Sequence, residues 1–384
     1  MNGFKMTVVS LNAVSGFSHL GQFGILYPLI ALWLDAQGTP AWQVGLVGSA
    51  VWFGMLIGNL FAPGALQRWG ASRLAGAGCL GTVVLGVVMP QIAASWLVLW
   101  AFAAALLGVC IGLRWIGVES WLYAIVDATN RGRFVGVHET VIYAAQGVGP
   151  SIVAVLGVGG QRGFFAGALA ALFAALSLRK AKIPMPAGSR DARLEAATVL
   201  NGLWHHAPNR LGAQLGLTSG VLDGVLFGML GIFFVRSGMT AESAAVKMTV
   251  FGLGGLFSQI PLGWWSDRKG VRSATQILAL AGVVGAGLLL TNWGPAVWIA
   301  AFLLGALAAG SLTAAVIATT DEATEYGIAM ELAVAEVSIA FTLGSCAGPV
   351  MAGALLDACG LISLPVLTVI ASLGLMLAAS VRRR

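Results

Sequence analysis

The chain has 384 residues, of which 58% are hydrophobic and only 9% charged, with a mean hydropathy of +0.89. Soluble domains carry about 25% charge, so this composition excludes a water-soluble globular protein and puts the chain in a bilayer. The net charge of +6 at pH 7 comes from Lys and Arg gathered in short polar breaks, a sidedness pattern that gives no reason to expect a nucleic-acid partner.

Each crossing of the hydrocarbon core takes about 20 mainly apolar residues in a helix, which satisfies its own backbone hydrogen bonds. Breaks at Gly, Pro and charge clusters predict a first set of six spans at 7–33, 41–67, 72–92, 95–125, 131–157 and 160–178. Span one is expected to stay attached, since no small-residue cleavage site follows it. It carries Asn12, Ser15, His19 and Gln22 at steps of three and four, hence on one helical face. That face is expected to line a central cavity, with His19 able to titrate; the competing role is a hydrogen-bonded seam between helices. Span four holds Arg114 and Glu119, about 140° apart around the helix, while Trp115, Glu119 and Tyr123 make one aromatic and acidic face. Span five holds His138, and then Glu139, Tyr143 and Gln146 on one face. Arg114 is expected to neutralise one of the two glutamates and to leave the other to bind or titrate; a structural Arg–Glu clasp is the alternative. Ionisable groups inside a membrane cost about 2.5–3.5 kcal/mol on insertion scales, so each asks for a function.

A polar, basic connection at 179–209 precedes a second set of spans at 210–236, 241–265, 271–291, 294–318, 325–355 and 358–381. Span seven carries Gln214, Thr218, Ser219 and Asp223, the last either a coupling or substrate group or one half of an ion pair. Span eleven is expected to begin with Asp321, Glu322 and Glu325 and to present Glu331, Ser338, Thr342 and Ser345 on one face, with Glu336 on another. Asp357 reads as a solvated cap near the outer end. The pair His205-His206 after Trp204 reads as an interfacial amphipathic segment, since no third metal ligand stands at a recognisable spacing. Cys79, Cys110, Cys346 and Cys359 fall inside spans and suggest neither a disulfide framework nor a metal site. No G-x-x-x-x-G-K-[ST] motif occurs, so ATP hydrolysis is excluded and no cofactor is expected.

With a cytoplasmic N-terminus, 17 of the 21 Lys and Arg residues fall on the inner side; only Arg162, Arg236 and Lys247 fall outside, and Arg114 lies within a span. Both termini are therefore expected in the cytoplasm.

Two motifs recur at one offset. Gln67-Arg68-Trp69-Gly70-Ala71-Ser72-Arg73 follows span two, and Gly263-Trp264-Trp265-Ser266-Asp267-Arg268-Lys269-Gly270-Val271-Arg272 follows span eight, with Arg68 and Gly70 200 residues before Arg268 and Gly270. Gly149-Pro150 and Gly348-Pro349 stand 199 apart. The chain thus divides into an N-terminal six-helix bundle at 1–178, the cytoplasmic connection at 179–209 and a C-terminal six-helix bundle at 210–384.

The Gly263–Arg272 stretch resembles the loop signature of the major facilitator superfamily, and the spacing Gly344, Gly348-Pro349, Gly353 is similar to that family's glycine-proline pattern. Trp42-Gln43-Val44-Gly45, Val118-Glu119-Ser120 and Asn130-Arg131-Gly132-Arg133 further resemble the bacterial YcaD-like branch, which includes copper- and riboflavin-importer-like proteins. The chain departs from the pattern at Gln67, where the family has aspartate, at Pro63, where it has glycine, and at Ala145, where the first glycine of the span-five pattern would stand. The Met-x-x-x-Met and His-x-x-x-Met pairs of copper-importer-like proteins are absent, which disfavours copper.

The resemblance implies an all-α integral membrane protein with twelve helices in two pseudo-symmetric bundles: a secondary transporter, not an enzyme, moving a small organic solute by alternating access, with protons as the candidate coupling ion. It implies a bacterial inner-membrane monomer whose partners are solute and lipid. It also implies a cytoplasmic gate in which Asp267, with Arg268 and Arg272, faces Arg131 and Arg133, while the acidic residues 321–325 replace the missing loop aspartate by facing Arg68 or Arg73. The rival reading is a transporter-derived receptor or scaffold that binds without flux.

Overall fold

The computed structural model describes residues 2–126, 131–185, 210–291, 294–327 and 330–380, without the side chains at 2, 131–133, 135 and 330–331. Among the described residues twelve helices are long and apolar enough to cross a membrane, and every regular element is helical. In chain order they are α1 (Asn2–His19, Leu20–Leu26 and Tyr27–Ala36 in one run), α2 (Ala41–Trp69), α3 (Ala71–Val88), α4 (Leu97–Ile125), α5 (Arg131–Leu156) and α6 (Arg162–Ser177). They continue as α7 (Leu211–Arg236), α8 (Ala241–Lys269), α9 (Val271–Leu289), α10 (Gly294–Tyr326), α11 (Met330–Cys359) and α12 (Ser363–Ser380).

The helices pack into two units. One comprises Met1–Gln37 with Ala50–Arg193; the other comprises Gly38–Ser49 with Leu194–Arg384. In the first, α3 packs on α4 and α6, and α1 on α5 and α6; in the second, α7 packs on α11 and α10, α8 on α10, and α9 on α10 and α12. The first turns of α2 belong to the second unit, where Trp42 N–H donates to Asp357 Oδ2 at 2.9 Å and Val350 N–H donates to Ser49 Oγ at 3.2 Å. Asp357 therefore caps the start of another helix and also receives Arg236 at 2.9 Å, a more committed role than the solvated cap expected of it.

Both recurring motifs have a steric cause. Gly70 and Gly270 separate α2 from α3 and α8 from α9 at φ 79° and 82°, with ψ 161° and 154°, a region essentially reserved for glycine. In the glycine-proline pairs, a Cβ on Gly149 would lie 2.2 Å from the backbone of Gly24 in α1, and one on Gly348 would lie 2.7 Å from the Val221 carbonyl oxygen in α7. Each motif glycine thus lets the fifth helix of its unit touch the backbone of the first.

Three sequence expectations change. Span one is longer than expected and contains π geometry at Leu20–Leu26, closed by Tyr27 N–H onto the Gln22 carbonyl. Pro28 supplies the reason: it has no N–H for the carbonyl one turn back, and the ladder loosens to accommodate it. The tenth span runs to Tyr326 instead of stopping at 318, because no Gly or Pro interrupts residues 319–326 and the first backbone break is Gly327 at φ 64°. Asp321, Glu322 and Glu325 therefore end α10 instead of beginning α11. The Trp204-His205-His206 segment and most of the connection lie outside the described residues.

Candidate functional site

In the first unit, α1 brings its polar stripe against α3, α4 and α5. Ser15, His19 and Gln22 are buried and Asn12 is half-buried. Gln22 is the hub of one group: its Nε2 donates to Thr82 Oγ1 at 2.8 Å, and its Oε1 accepts from Arg114 Nη2 at 3.1 Å. Arg114 is fully buried, with its guanidinium 5.4 Å from the Trp115 ring centre, and its Nε and Nη1 have no hydrogen-bond partner among the described residues. His19 donates from Nδ1 to the Ser15 carbonyl at 3.1 Å and lies between Trp115 and Phe23, at ring distances of 5.2 and 5.7 Å.

A second group lies nearer the start of α5. His138, fully buried, places Nδ1 3.0 Å from Asn12 Oδ1 and Nε2 2.9 Å from Glu119 Oε1. Tyr123 and Glu139 are within electrostatic reach of Glu119. Glu139, Tyr143 and Gln146 are half-buried on α5. The expected Arg–Glu clasp between spans four and five is thus replaced: among the described residues Arg114 pairs with no carboxylate, and the partner of Glu119 is His138. The His138 side chain reaches from α5, which packs on α1, to Glu119 of α4. The i to i+4 pattern on either helix alone holds no sign of it, which is why the sequence reading passed over His138, as it did Thr82.

In the second unit, Asp223 is the thirteenth of the 26 residues of α7, about 18 Å from either end. It is half-buried and makes no hydrogen bond or ion pair among the described residues. Ser219, one turn away, is buried, and its hydroxyl has no partner among the described residues. On α11 the hydroxyls of exposed Ser338 and buried Thr342 each donate to the carbonyl four residues back, at 2.8 Å. Glu331 lies among the side chains not described. Sequence reasoning also missed a polar contact between α8 and α10, where Thr313 donates to Gln259 Oε1 at 2.7 Å.

The end of this unit at which α7 begins holds a compact charge cluster. Glu322 of α10 accepts from Leu211 N–H and Gly212 N–H, at 2.6 and 3.1 Å, and so caps α7. Arg210, just before α7, forms an ion pair with Glu336 of α11. Burial draws the Arg210 guanidinium below its ordinary pKa, opposed by attraction to Glu322; an arginine so placed remains charged at physiological pH. Glu322, one of the acidic residues expected to replace the missing tether to Arg68 or Arg73, caps α7 within its own unit.

Of the residues expected to form a gate, Arg68, Arg73, Asp267 and Arg268 are exposed. Arg268 stacks on Trp264 at 3.8 Å, and Arg272 donates to the Ala379 carbonyl at 3.2 Å, a cation at a helix C-terminus. The side chains of Arg131 and Arg133, expected to face Asp267, lie outside those described.

The sequence model of the Major Facilitator Superfamily matches residues 13–330. The chain belongs to that superfamily. An "Uncharacterized MFS-type transporter" of Yersinia pseudotuberculosis serotype O:3 is 29% identical over 344 residues, covering 88% of this chain and 85% of the relative. The MFS-type transporter YcaD of Salmonella arizonae is 28% identical over 343 residues, covering 85% and 82%. Among solved structures, nucleoside transporter NupG superposes with a TM-score of 0.76 at 13% identity, over 97% of each chain. A D-xylose-proton symporter superposes with 0.71 at 16% identity, over 96% of each. These two likenesses show the fold. The superfamily is one of solute transporters, not enzymes, and this member is a multi-pass membrane protein.

Proposed function

We propose that this superfamily member is a proton-coupled secondary transporter of a small organic solute, and that its coupling groups lie in the N-terminal bundle. The observation that carries the coupling reading is the arrangement around Arg114. Two carboxylates, Glu119 and Glu139, stand within electrostatic reach of each other inside the bundle, and the Arg114 guanidinium, within electrostatic reach of Glu119, is held by Gln22 instead of by either acid. Carboxylates not committed to a cation inside a membrane are the usual proton carriers of transporters. Glu119, beside Trp115 and Tyr123, is the first coupling residue, Glu139 the second and His19 the third.

The solute site is assigned to the faces bearing Asn12, Trp115, Tyr143, Gln146, Asp223, Ser338 and Thr342, a mixture of amide, aromatic and hydroxyl groups suited to an amphipathic molecule. Bundles 1–178 and 210–384 rock against one another about it, and the Asp267 loop gates the cytoplasmic side. The excess of Lys and Arg in alternate breaks supports cytoplasmic termini, and the bacterial relatives support the inner membrane; in this reading the protein works as a monomer running on an ion gradient. The test is flux. Solutes that raise the melting temperature of the purified protein are loaded into proteoliposomes, and an imposed pH gradient should drive their accumulation. Solute binding without flux under any gradient would show a receptor instead.

A further inference from the structure

The His138 contacts constrain where a proton can sit. Asn12 Nδ2 donates to the Val8 carbonyl at 2.9 Å, which turns the amide oxygen toward His138. That oxygen only accepts, so Nδ1 of His138 carries a hydrogen. The other ring nitrogen lies 2.9 Å from Glu119 Oε1 in a buried setting. Two such atoms without a hydrogen between them would set lone pair against lone pair. With one hydrogen they make a charge-assisted bond, either imidazolium to carboxylate or imidazole to carboxylic acid, and both forms are neutral overall. No room exists for two.

From this geometry we infer that Glu119 and His138 form one titrating unit that holds a single proton between Oε1 and Nε2, with Asn12 fixing the ring's tautomer. This assignment rests on the reading that coupling resides at Glu119, and it adds His138 as the second half of the carrier and Asn12 as its positioning residue. Loss of the proton to water leaves a neutral imidazole with its Nδ1 hydrogen and a carboxylate, one negative charge in all. Arg114, buried on the same helix as Glu119 and unpaired with any described acid, supplies the balancing positive charge inside the bundle. The other titratable groups in reach are Glu139 on α5, Tyr123 on α4 and His19 on α1. Glu139, half-buried, is the carboxylate within electrostatic reach of both members of the pair. The unit therefore alternates between two charge states without stranding a net charge of either sign larger than one, which is what a proton carrier in a low-dielectric bundle requires.

The test titrates the full chain in lipid nanodiscs with pH as the only probe. The protein has four histidines, so nitrogen-15 histidine spectra can be assigned by subtracting His138→Gln. The Glu119 carboxyl stretch is identified in infrared difference spectra by its loss in Glu119→Gln. The expected result is a protonated Nδ1 at every pH and one common midpoint for the Nε2 signal and the carboxyl band. Glu119→Gln should lower the His138 midpoint by at least one pH unit, a tenfold loss of proton affinity, and Asn12→Asp should raise the common midpoint. If His138→Gln does not fold, the two shape-conserving variants Glu119→Gln and Asn12→Asp provide the assignment. Separate midpoints, a bare Nδ1, no titration between pH 4 and 10, or an unmoved His138 midpoint in Glu119→Gln would each overturn the pair. Separate midpoints alongside lost pH-driven transport in Glu119→Gln would reject the pair and leave the coupling reading standing. A common midpoint alongside intact coupling in that variant would keep the pair and reject the coupling reading.

Discussion

Asp223 offers a sharp separation of function from stability. It stands at the middle of α7, where an acidic side chain costs about 3 kcal/mol to insert, and it makes no hydrogen bond or ion pair among the described residues to offset that cost. Exchanging it for the isosteric amide removes the charge and leaves the packing unchanged. The Asp223→Asn variant should therefore be as stable as the parent or more so, by about 1–2 kcal/mol, in contrast to the loss of about 3–5 kcal/mol expected when half of a buried ion pair is removed. Unfolding by titration in mixed micelles measures the difference. Proteoliposome flux of the same protein should fall at least tenfold, because the carboxylate faces solute in the proposed site. A variant destabilised by 1 kcal/mol or more would reveal a structural partner, and a stable variant with full flux would remove Asp223 from the site.

Glu336→Ala removes the ion-pair partner of Arg210 and leaves the attraction to Glu322, so it should cost less than the roughly 3–5 kcal/mol of a stranded charge, about 1–3 kcal/mol, with most of it recovered in Arg210→Met/Glu336→Leu; mixed-micelle unfolding of the three proteins checks this, and an unchanged single variant would contradict the pairing. Asp267→Asn should reduce transport by favouring the cytoplasm-open state with little loss of expression, read as increased labelling of cytoplasmic cysteines; unchanged labelling would count against the gate. Gly149→Leu places side-chain atoms within the backbone of Gly24 and should cost about 3 kcal/mol or prevent folding, seen as loss of monodisperse protein on size exclusion.

Much of the architecture was legible because the bilayer makes composition informative: twelve apolar runs, their breaks and the 200-residue repeat need only hydropathy and the special backbone of Gly70 and Gly270. Boundaries failed where a rule of thumb replaced physics. Span ten was ended at its charges, although a charge ends a membrane crossing and not a helix: the helix runs on through Asp321, Glu322 and Glu325 until Gly327 breaks it. The site was legible in its residue types but not in its pairings. Periodicity placed Asn12, Ser15, His19 and Gln22 on one face correctly, because i to i+4 geometry is local. Which helix that face meets depends on packing, so the contacts of Gln22 with Thr82 and Arg114, and of His138 with Asn12 and Glu119, stand 60, 92, 126 and 19 residues apart in sequence. Charge complementarity suggested Arg114 for a glutamate, but the backbone of α4 turns the two apart.

The most direct measurement of the central claim is transport driven by a pH gradient in Glu119→Gln and Glu139→Gln, compared with exchange of the same solute at equal pH on both sides. The account predicts that Glu119→Gln loses gradient-driven accumulation and retains exchange, since the carrier of the proton is removed and the solute path is not. Full pH-driven accumulation by both variants would contradict it and show that these acids only hold the bundle together.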